Sequence, residues 1–209
     1  MRDAIFLSAS VPDPERAPEF ARTADSVAIT SAVSALLFVT LGRRPLVWGG
    51  HPAITPMVWE VARSMELDYG TWVKLYQSKH WEDKFPEDND RFGNVTYTPD
   101  INHDRERSLR LMRQTMFREN EFIAAVFIGG MKGILDEYEL FRERQPQAKL
   151  LPVASTGGAA ATLVGPDVRI EEELDYVRFF HQRLDVSPRE RRYRTPVEQP
   201  REIQRRFDY

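Results

Sequence analysis

The chain has 209 residues, of which 42% are hydrophobic and 29% are charged, and its formal net charge is −3. This composition is ordinary for a soluble globular protein and argues against a general nucleic-acid binder. The sequence contains no cysteine, which excludes disulfides, thiolate catalysis and cysteine-ligated metal sites. No apolar run approaches the roughly 18 residues of a membrane span, and no signal-peptide pattern opens the chain. We therefore expect a cytoplasmic protein with no membrane association.

The first half of the chain alternates between apolar strand candidates and helical patterns. Residues 25–41 show the wide apolar stripe of a helix that packs on a sheet. Thr55 is interpreted as a helix N-cap, because Pro56 follows it at the first helical position. The predicted elements are, in chain order, a strand over 4–7, a helix over 25–41, a strand over 46–48, a helix over 55–67 and a strand over 73–76.

The second half continues this alternation after a polar, proline-containing stretch over 77–104, which we interpret as a surface excursion. The predicted elements are, in chain order, a short strand over 94–98, a helix over 108–120, a strand over 122–128, a helix over 136–144, a strand over 149–154 and a helix over 171–182. Such alternation is typical of an α/β fold with a parallel sheet. The sequence therefore predicts one Rossmann-like three-layer domain over residues 1–186, in which helices flank a mainly parallel sheet.

The composition changes at residue 187. The remaining segment, 187–209, contains seven arginines, four acidic residues and three prolines. We interpret it as a basic C-terminal tail outside the domain. It is either a solvated tail or an arm that docks on a partner subunit or an acidic ligand.

Small, polar or glycine residues follow three of the predicted strands, at the point where each strand ends. In an open parallel sheet these carboxyl ends meet at one edge, where ligands bind. Glycine lets a ligand approach the backbone closely, and the N-terminus of the next helix attracts anions. The pattern predicts a nucleotide-phosphate site, although an ordinary strand–turn–helix also uses glycine. The candidate ligand-binding residues are Ser8, Ser10, Gly49, Gly50, His51, Gly129, Gly130, Lys132 and Gly133.

Two of these residues carry more specific expectations. A side chain added at Gly130 should meet the ligand rather than the core. His51 either faces the pocket and donates to a phosphate or ribose, or bonds to the local backbone. The four histidines are dispersed, without the spacing of metal ligands, so we expect neither a metal site nor a cofactor.

Several of these motifs occur in the order found in a known superfamily. They are Ser8-Ala9-Ser10, Trp48-Gly49-Gly50-His51-Pro52, Arg113-Gln114-Thr115-Met116, Ile128-Gly129-Gly130-Met131-Lys132-Gly133 and Asp136-Glu137. Over about residues 4–185 the chain resembles the SLOG superfamily. This superfamily includes the LONELY GUY-type phosphoribohydrolases, the DNA-processing protein DprA and the nucleotide-sensing region of melastatin-type TRP channels. The resemblance is strongest to stand-alone bacterial SLOG proteins of nucleotide-signalling and anti-phage defence systems.

The resemblance implies specific roles for two residues. In the phosphoribohydrolases, the arginine of Arg-x-x-Met and the glutamate of Pro-Gly-Gly-x-Gly-Thr-x-x-Glu remove a base from its ribose 5′-phosphate. Arg113 matches this arginine, and Glu137 matches the glutamate, with Asp136 as its competitor. The chain departs from the pattern in having Ile128 for the proline, Lys132 as an added residue and Ile134 for the threonine. From the residues alone, Arg113 and Glu137 could equally form an ion pair between two helix ends.

These observations predict a sensor of a nucleotide or ADP-ribose-like ligand, acting in nucleotide signalling or anti-phage defence with a separate effector protein. The first alternative is a nucleotide N-glycosidase that uses Arg113 and Glu137. The second is a DprA-like DNA-associated or scaffold protein, which the lack of a basic signature in the globular part disfavours. SLOG relatives commonly dimerise through helices beside the pocket. We therefore expect a homodimer or larger homo-oligomer, formed through Leu109, Met112 and Met116.

Overall fold

The strands of this chain form a single six-stranded sheet in which every pair of neighbours is parallel. A computed structural model describes residues 1–85, 92–165 and 174–199. The strand order is β4-β3-β2-β1-β5-β6. The strands are β1 Ala4–Ser10, β2 Leu46–Trp48, β3 Val73–Ser78, β4 Val95–Thr98, β5 Phe122–Gly129 and β6 Lys149–Val153. The central strands are continuous apolar runs because both faces of the sheet are covered by helices.

Among the helices of the described residues, the five longer ones lie close to where the sequence predicts them, and three helices of four residues each were not predicted. The helices are α1 Pro18–Ala21, α2 Ser26–Thr40, α3 Thr55–Ser64, α4 Tyr69–Trp72, α5 Arg105–Glu119, α6 Lys132–Arg144, α7 Gly158–Ala161 and α8 Tyr176–Arg183. The prediction of a three-layer, Rossmann-like α/β fold is confirmed. In the predicted helix over 171–182, residues 171–173 lie outside the described residues, and α8 begins at Tyr176 after the N-cap Asp175.

Helix α6 begins four residues earlier than predicted. The Lys132-Gly133 pair reads as part of a turn in the sequence, but both residues lie in the first turn of the helix. The reversal of the chain is already complete at Gly129 and Gly130, which have φ values of +60° and +77°. Met131 is the N-cap, and the Ile134 N–H donates to its carbonyl. Lys132 and Gly133 therefore lie at the positive end of the α6 dipole.

Two other helix starts also differ from the prediction. Helix α5 begins at Arg105 because Asp104 accepts a hydrogen bond from the Arg107 N–H and acts as the N-cap. Thr55 is not an N-cap, since its hydroxyl donates to the His51 carbonyl and Ile54 occupies the cap position. By contrast, Asp25 caps α2 at the expected place by accepting from two backbone N–H groups.

The core consists of two apolar layers, one on each face of the sheet. Alternate residues of β1 serve the two layers, because successive strand side chains point to opposite faces. Ile5 and Leu7 pack with α2, α3 and α8, whereas Phe6 packs with α5 and α6. The Phe6 ring lies edge-on to Phe117 at 4.9 Å between centroids and stacks on Phe141 at 5.6 Å.

The apolar layer formed by α5 and α6 includes the residues predicted to form a dimer interface, Leu109, Met112 and Met116. Met112 and Met116 are 4% and 0% exposed, and both pack in the α5–α6 layer of their own chain. Leu109 packs against the same layer. Met112 and Met116 are therefore not available for a dimer interface, because they already cover the sheet, whereas Leu109 is only half-buried. Assembly itself stays a prediction.

Residues 187–199 pack against the domain that precedes them. The guanidinium of Arg43, which is 5% exposed, donates to the carbonyls of Pro188 and Glu190. Arg44 forms an ion pair with the Glu190 carboxylate at 2.5 Å. The indole N–H of the fully buried Trp72 donates to the Arg194 carbonyl. This part of the segment is therefore integrated with the domain.

Candidate functional site

The order in which the chain adds strands to the sheet reverses at the boundary between β1 and β5. From β1 the chain adds β2, β3 and β4 on one side, and it then returns to place β5 and β6 on the other. Ser10 at the end of β1 lies in register with Gly129 at the end of β5, and the Gly130 N–H donates to the Ser10 carbonyl at 2.8 Å. Such a topological switch point is where open α/β sheets bind their ligands.

A cavity of about 430 Å³ lies at these strand ends. It is bordered by the ends of β1 and β2, by the loop and short helix after β1, and by the first turns of α5 and α6. Its volume falls within the range of small-molecule sites. Nine residues singled out from the sequence line it, namely Ser8, Ser10, Gly49, Gly50, His51, Arg113, Lys132, Gly133 and Glu137.

Arg113 and Glu137 form an ion pair in the wall of this cavity. The Arg113 Nε lies 3.0 Å from the Glu137 Oε1, and the two side chains are only 10% and 16% exposed. The other carboxylate oxygen, Oε2, accepts a hydrogen bond of 2.5 Å from the Ser8 hydroxyl. Arg113 also donates to the Gly133 carbonyl and lies 3.8 Å from the Asp136 carboxylate. Glu137 is thus closer to Arg113 than Asp136 is, and it alone of these two acids borders the cavity.

Gly129 and Gly130 lie behind the cavity wall rather than in it. A Cβ at Gly130 would approach the Ile134 Cδ1 to 2.0 Å, and a Cβ at Gly129 would approach the Ile29 side chain to 2.5 Å. The Gly129 N–H donates to the Thr156 hydroxyl, and the Gly130 N–H donates to the Ser10 carbonyl. The expectation that a side chain at Gly130 would meet ligand is therefore wrong, because Ile134 fills that space. These glycines shape the turn that directs α6 toward the cavity.

The start of α6 provides the clearest anion-binding feature of the cavity. No side chain caps this helix, and the first-turn N–H groups of Lys132 and Gly133 have no acceptor within the helix. Both residues line the cavity. The helix dipole and the Lys132 ammonium group therefore act in the same direction, and both favour a negatively charged group.

His51 lines the cavity and also bonds to the local backbone, so the two alternatives raised for it are compatible. Its Nδ1 accepts a hydrogen bond of 3.3 Å from the Ala53 N–H. Burial lowers the pKa of His51, and the charge of Arg16 lowers this pKa further. In the neutral ring the proton then lies on Nε2, which can donate to a ligand oxygen.

Two basic residues of the cavity, Arg16 and Arg105, were not predicted from the sequence. Arg16 lies in the loop after β1, and Arg105 opens α5, where its guanidinium lies 6.0 Å from the centre of the Trp81 ring. Arg16 lies nine residues after the predicted strand over 4–7, and Arg105 lies before the predicted helix over 108–120, so no sequence pattern marked either residue. The lining includes four basic side chains, Arg16, Arg105, Arg113 and Lys132, and two acidic ones, Glu19 and Glu137.

The balance of charge in the cavity suits an anion rather than a cation. Within the described residues, no carboxylate lies within ion-pairing distance of Arg16, Arg105 or Lys132. In the same part of the chain, no three histidine, aspartate or glutamate side chains come together as metal ligands. A second, shallower groove of about 920 Å³ adjoins the cavity between α5 and α6 and shares Arg105, Arg113 and Lys132 with it.

Comparison with known protein families gives a match over most of the chain. The model of the SLOG cluster3 family matches residues 19–184, which is well over half of the chain. The chain belongs to the SLOG cluster3 family. The resemblance to the SLOG superfamily is thereby confirmed, and membership supports a nucleotide-related role in general. No curated protein and no solved structure gives a significant match. Among the described residues, none of the helices combines the length and apolar character that a bilayer crossing demands.

Proposed function

We propose that this SLOG protein binds a nucleotide or an ADP-ribose-like ligand in the 430 Å³ cavity and acts as a sensor of that ligand. The observation that carries the proposal is the uncapped start of α6 at the sheet's switch point, where Lys132 and Gly133 line the cavity. A phosphate group at this position gains both the helix dipole and a charge-assisted hydrogen bond.

Other groups of the cavity suit the remaining parts of such a ligand. The hydroxyl of Ser10 and the Nε2 of His51 are polar groups that can bond to ribose or phosphate oxygens. Arg16 and Arg105 add positive charge at the rim, which favours a ligand with more than one negative charge. Phe20 and Leu109 provide apolar surface for a base.

Three features favour a sensor over a hydrolase. Ile134, which stands where the phosphoribohydrolases have threonine, is 4% exposed and packs in the α5–α6 layer. The cavity therefore lacks the hydroxyl that cradles a monophosphate in those enzymes. Lys132, the added residue, supplies a cation instead. Both oxygens of Glu137 are bonded to Arg113 and Ser8, which makes the carboxylate part of the cavity wall.

A denaturation-shift screen tests this proposal. The panel contains AMP, cyclic nucleotides, NAD and ADP-ribose, each added to the full chain. A ligand at 100 times its dissociation constant raises the free energy of unfolding by about 2.7 kcal/mol. We expect at least one nucleotide to stabilise the protein, and we expect Lys132→Met to reduce that shift. A full panel without any shift would refute the proposal.

The second candidate is a nucleotide N-glycosidase, and the Arg113–Glu137 pair in the cavity wall favours it. A carboxylate beside the ribose can stabilise an oxocarbenium-like centre while water replaces the base at C1′. Chromatography of nucleotides incubated with the protein separates the candidates. Release of free base that Glu137→Gln abolishes would establish the enzyme. Binding without base release over hours would support the sensor.

A further inference from the structure

The outer side of α2 is unusual for a surface helix. From Ser26 to Thr40 the helix contains no ionisable residue. Even so, one side of it faces solvent, because Val27 is 73% exposed and Phe38 is 49% exposed. Surface helices normally carry charged residues on the side away from the core. An uncharged outer face is typical of a helix that packs on its own sheet with one side and on a second protein surface with the other.

Exposed apolar residues concentrate on this face of the molecule. Six large hydrophobic side chains are exposed among the described residues. Four of them lie on α2, on α8 or just before α8, which packs beside α2, and these are Val27, Phe38, Leu174 and Val177. A cluster of this kind marks an interaction surface more often than isolated exposed residues do.

The residues along the exposed side of α2 form one stripe with a symmetric pattern. Val27, Ser31, Ser34 and Phe38 are spaced by four, three and four positions, so they lie on the same side of the helix. The two large side chains lie at the ends, about 16 Å apart at 1.5 Å per residue. The two serines lie at the centre, where their small size permits the close approach of another helix.

This pattern is complementary to itself when a second copy lies antiparallel. A two-fold axis through the centre of the stripe places Val27 of each copy against Phe38 of the other and brings the serines to the crossing point. Such an isologous contact uses the same patch on both subunits. Because α2 carries no charge, its two copies meet without like-charge repulsion.

The charges at the two ends of the stripe are complementary in the same arrangement. Asp25, the exposed N-cap, lies at one end. Arg192 lies at the other, with its guanidinium 4.7 Å from the centre of the Phe38 ring. The antiparallel arrangement brings Asp25 of each copy toward Arg192 of the other. Within the described residues, no carboxylate pairs with Arg192. Burial, with a contribution from Arg43, lowers the pKa of Arg192 to about 10, so a carboxylate nearby would stabilise its charged form.

We propose that this protein forms a homodimer in which α2 packs antiparallel against α2 of a second copy, through Val27, Ser31, Ser34 and Phe38. This interface lies on the opposite face of the sheet from α5 and α6, whose apolar side chains cover their own core.

Light scattering of the full chain, coupled to size exclusion, tests the dimer. We expect a mass of twice 24.3 kDa at tens of micromolar protein. Val27→Lys should raise the dimer dissociation constant at least tenfold, because it places two lysines in an apolar contact. Tyr97→Lys is the matched control, since Tyr97 is 43% exposed and lies on β4, the edge strand of the sheet. A monomer at this concentration, or equal effects of the two variants, would overturn the proposal.

The orientation is tested by cross-linking, which the absence of cysteine makes simple. Ser31→Cys should give a covalent dimer with a short bifunctional maleimide, because the two copies of residue 31 lie near the axis. Ser64→Cys, an exposed position on α3, should give none. Cross-linking at Ser31 should be lost when Val27→Lys is added. Cross-linking at Ser64 alone would contradict the antiparallel α2 contact.

Discussion

The guanidinium of Arg113 and the carboxylate of Glu137 join α5 to α6 through a hydrogen-bonded ion pair of 3.0 Å. Ser8 extends this link to β1 through its 2.5 Å hydrogen bond to the same carboxylate. Three elements that border the cavity are therefore held together by one side-chain network. Because the pair is largely shielded from solvent, it positions the cavity wall more firmly than a surface ion pair could.

Arg113→Met should reveal how much this network stabilises the fold. The variant keeps an apolar stem but leaves the Glu137 carboxylate with Ser8 as its remaining partner. A poorly satisfied, partly buried group of this kind lowers the free energy of unfolding by about 1–3 kcal/mol. Urea denaturation measures the loss. Arg142→Met is the control, because its ion pair with Glu139 is 61% exposed on both sides and should contribute less than about 1 kcal/mol. Equal losses in the two variants would contradict the account.

Gly130→Ala should destabilise the protein rather than act on ligand binding alone. Gly130 has a φ of +77°, and its added Cβ would clash with Ile134. Strain of this type reduces stability by roughly 1–3 kcal/mol. Gly165→Ala serves as the comparison, since a Cβ at Gly165 meets no atom within 4 Å. Thermal unfolding of both variants tests the prediction, which fails if Gly130→Ala is as stable as Gly165→Ala.

The sequence predicts the strands and the position of α2 because these depend on local patterns. Continuous apolar runs give β1 and β5, and Asp25 marks the start of α2. The sequence does not predict that Gly130 is a structural residue of the turn, because this depends on contact with Ile134 and on a left-handed backbone conformation. The packing of residues 187–199 against the domain also cannot be predicted from local sequence patterns, since Arg43 and Glu190 are 147 positions apart. The candidate site was predictable at the strand ends, whereas Arg16 and Arg105 follow no motif.

The C-terminal segment should contribute measurably to stability. A chain that ends at Val186 loses the carbonyls that accept from Arg43 and from the Trp72 indole. Loss of these hydrogen bonds and exposure of the buried Trp72 side chain should lower the free energy of unfolding by about 2–5 kcal/mol in total. A chain that ends at Gln199 keeps these contacts and is the matched control. Chemical denaturation compares the two, and equal stabilities would show that the contacts contribute little.

Titration of His51 should make the stability of the protein depend on pH. Burial holds its pKa below the ordinary value, so the folded state binds fewer protons at His51 than the unfolded state does. Stability should therefore fall as the pH drops below about 6.5, where the unfolded imidazole becomes protonated. His51→Asn should show a shallower fall between about pH 7.5 and pH 5.5. Denaturation curves at a series of pH values measure this slope, and identical slopes would contradict the burial of His51.

The central claim is that the cavity at the start of α6 binds a nucleotide through Lys132, and titration calorimetry tests it most directly. The best ligand from the nucleotide panel is titrated into the wild type, Lys132→Met and Lys79→Met. Lys79 is a matched lysine that lies after β3, does not line the cavity and is 49% exposed. We expect Lys132→Met to weaken binding about tenfold or more, as the loss of a charge-assisted hydrogen bond predicts, and Lys79→Met to leave the affinity unchanged. Equal affinities of all three proteins, or the absence of binding by any nucleotide, would contradict the claim.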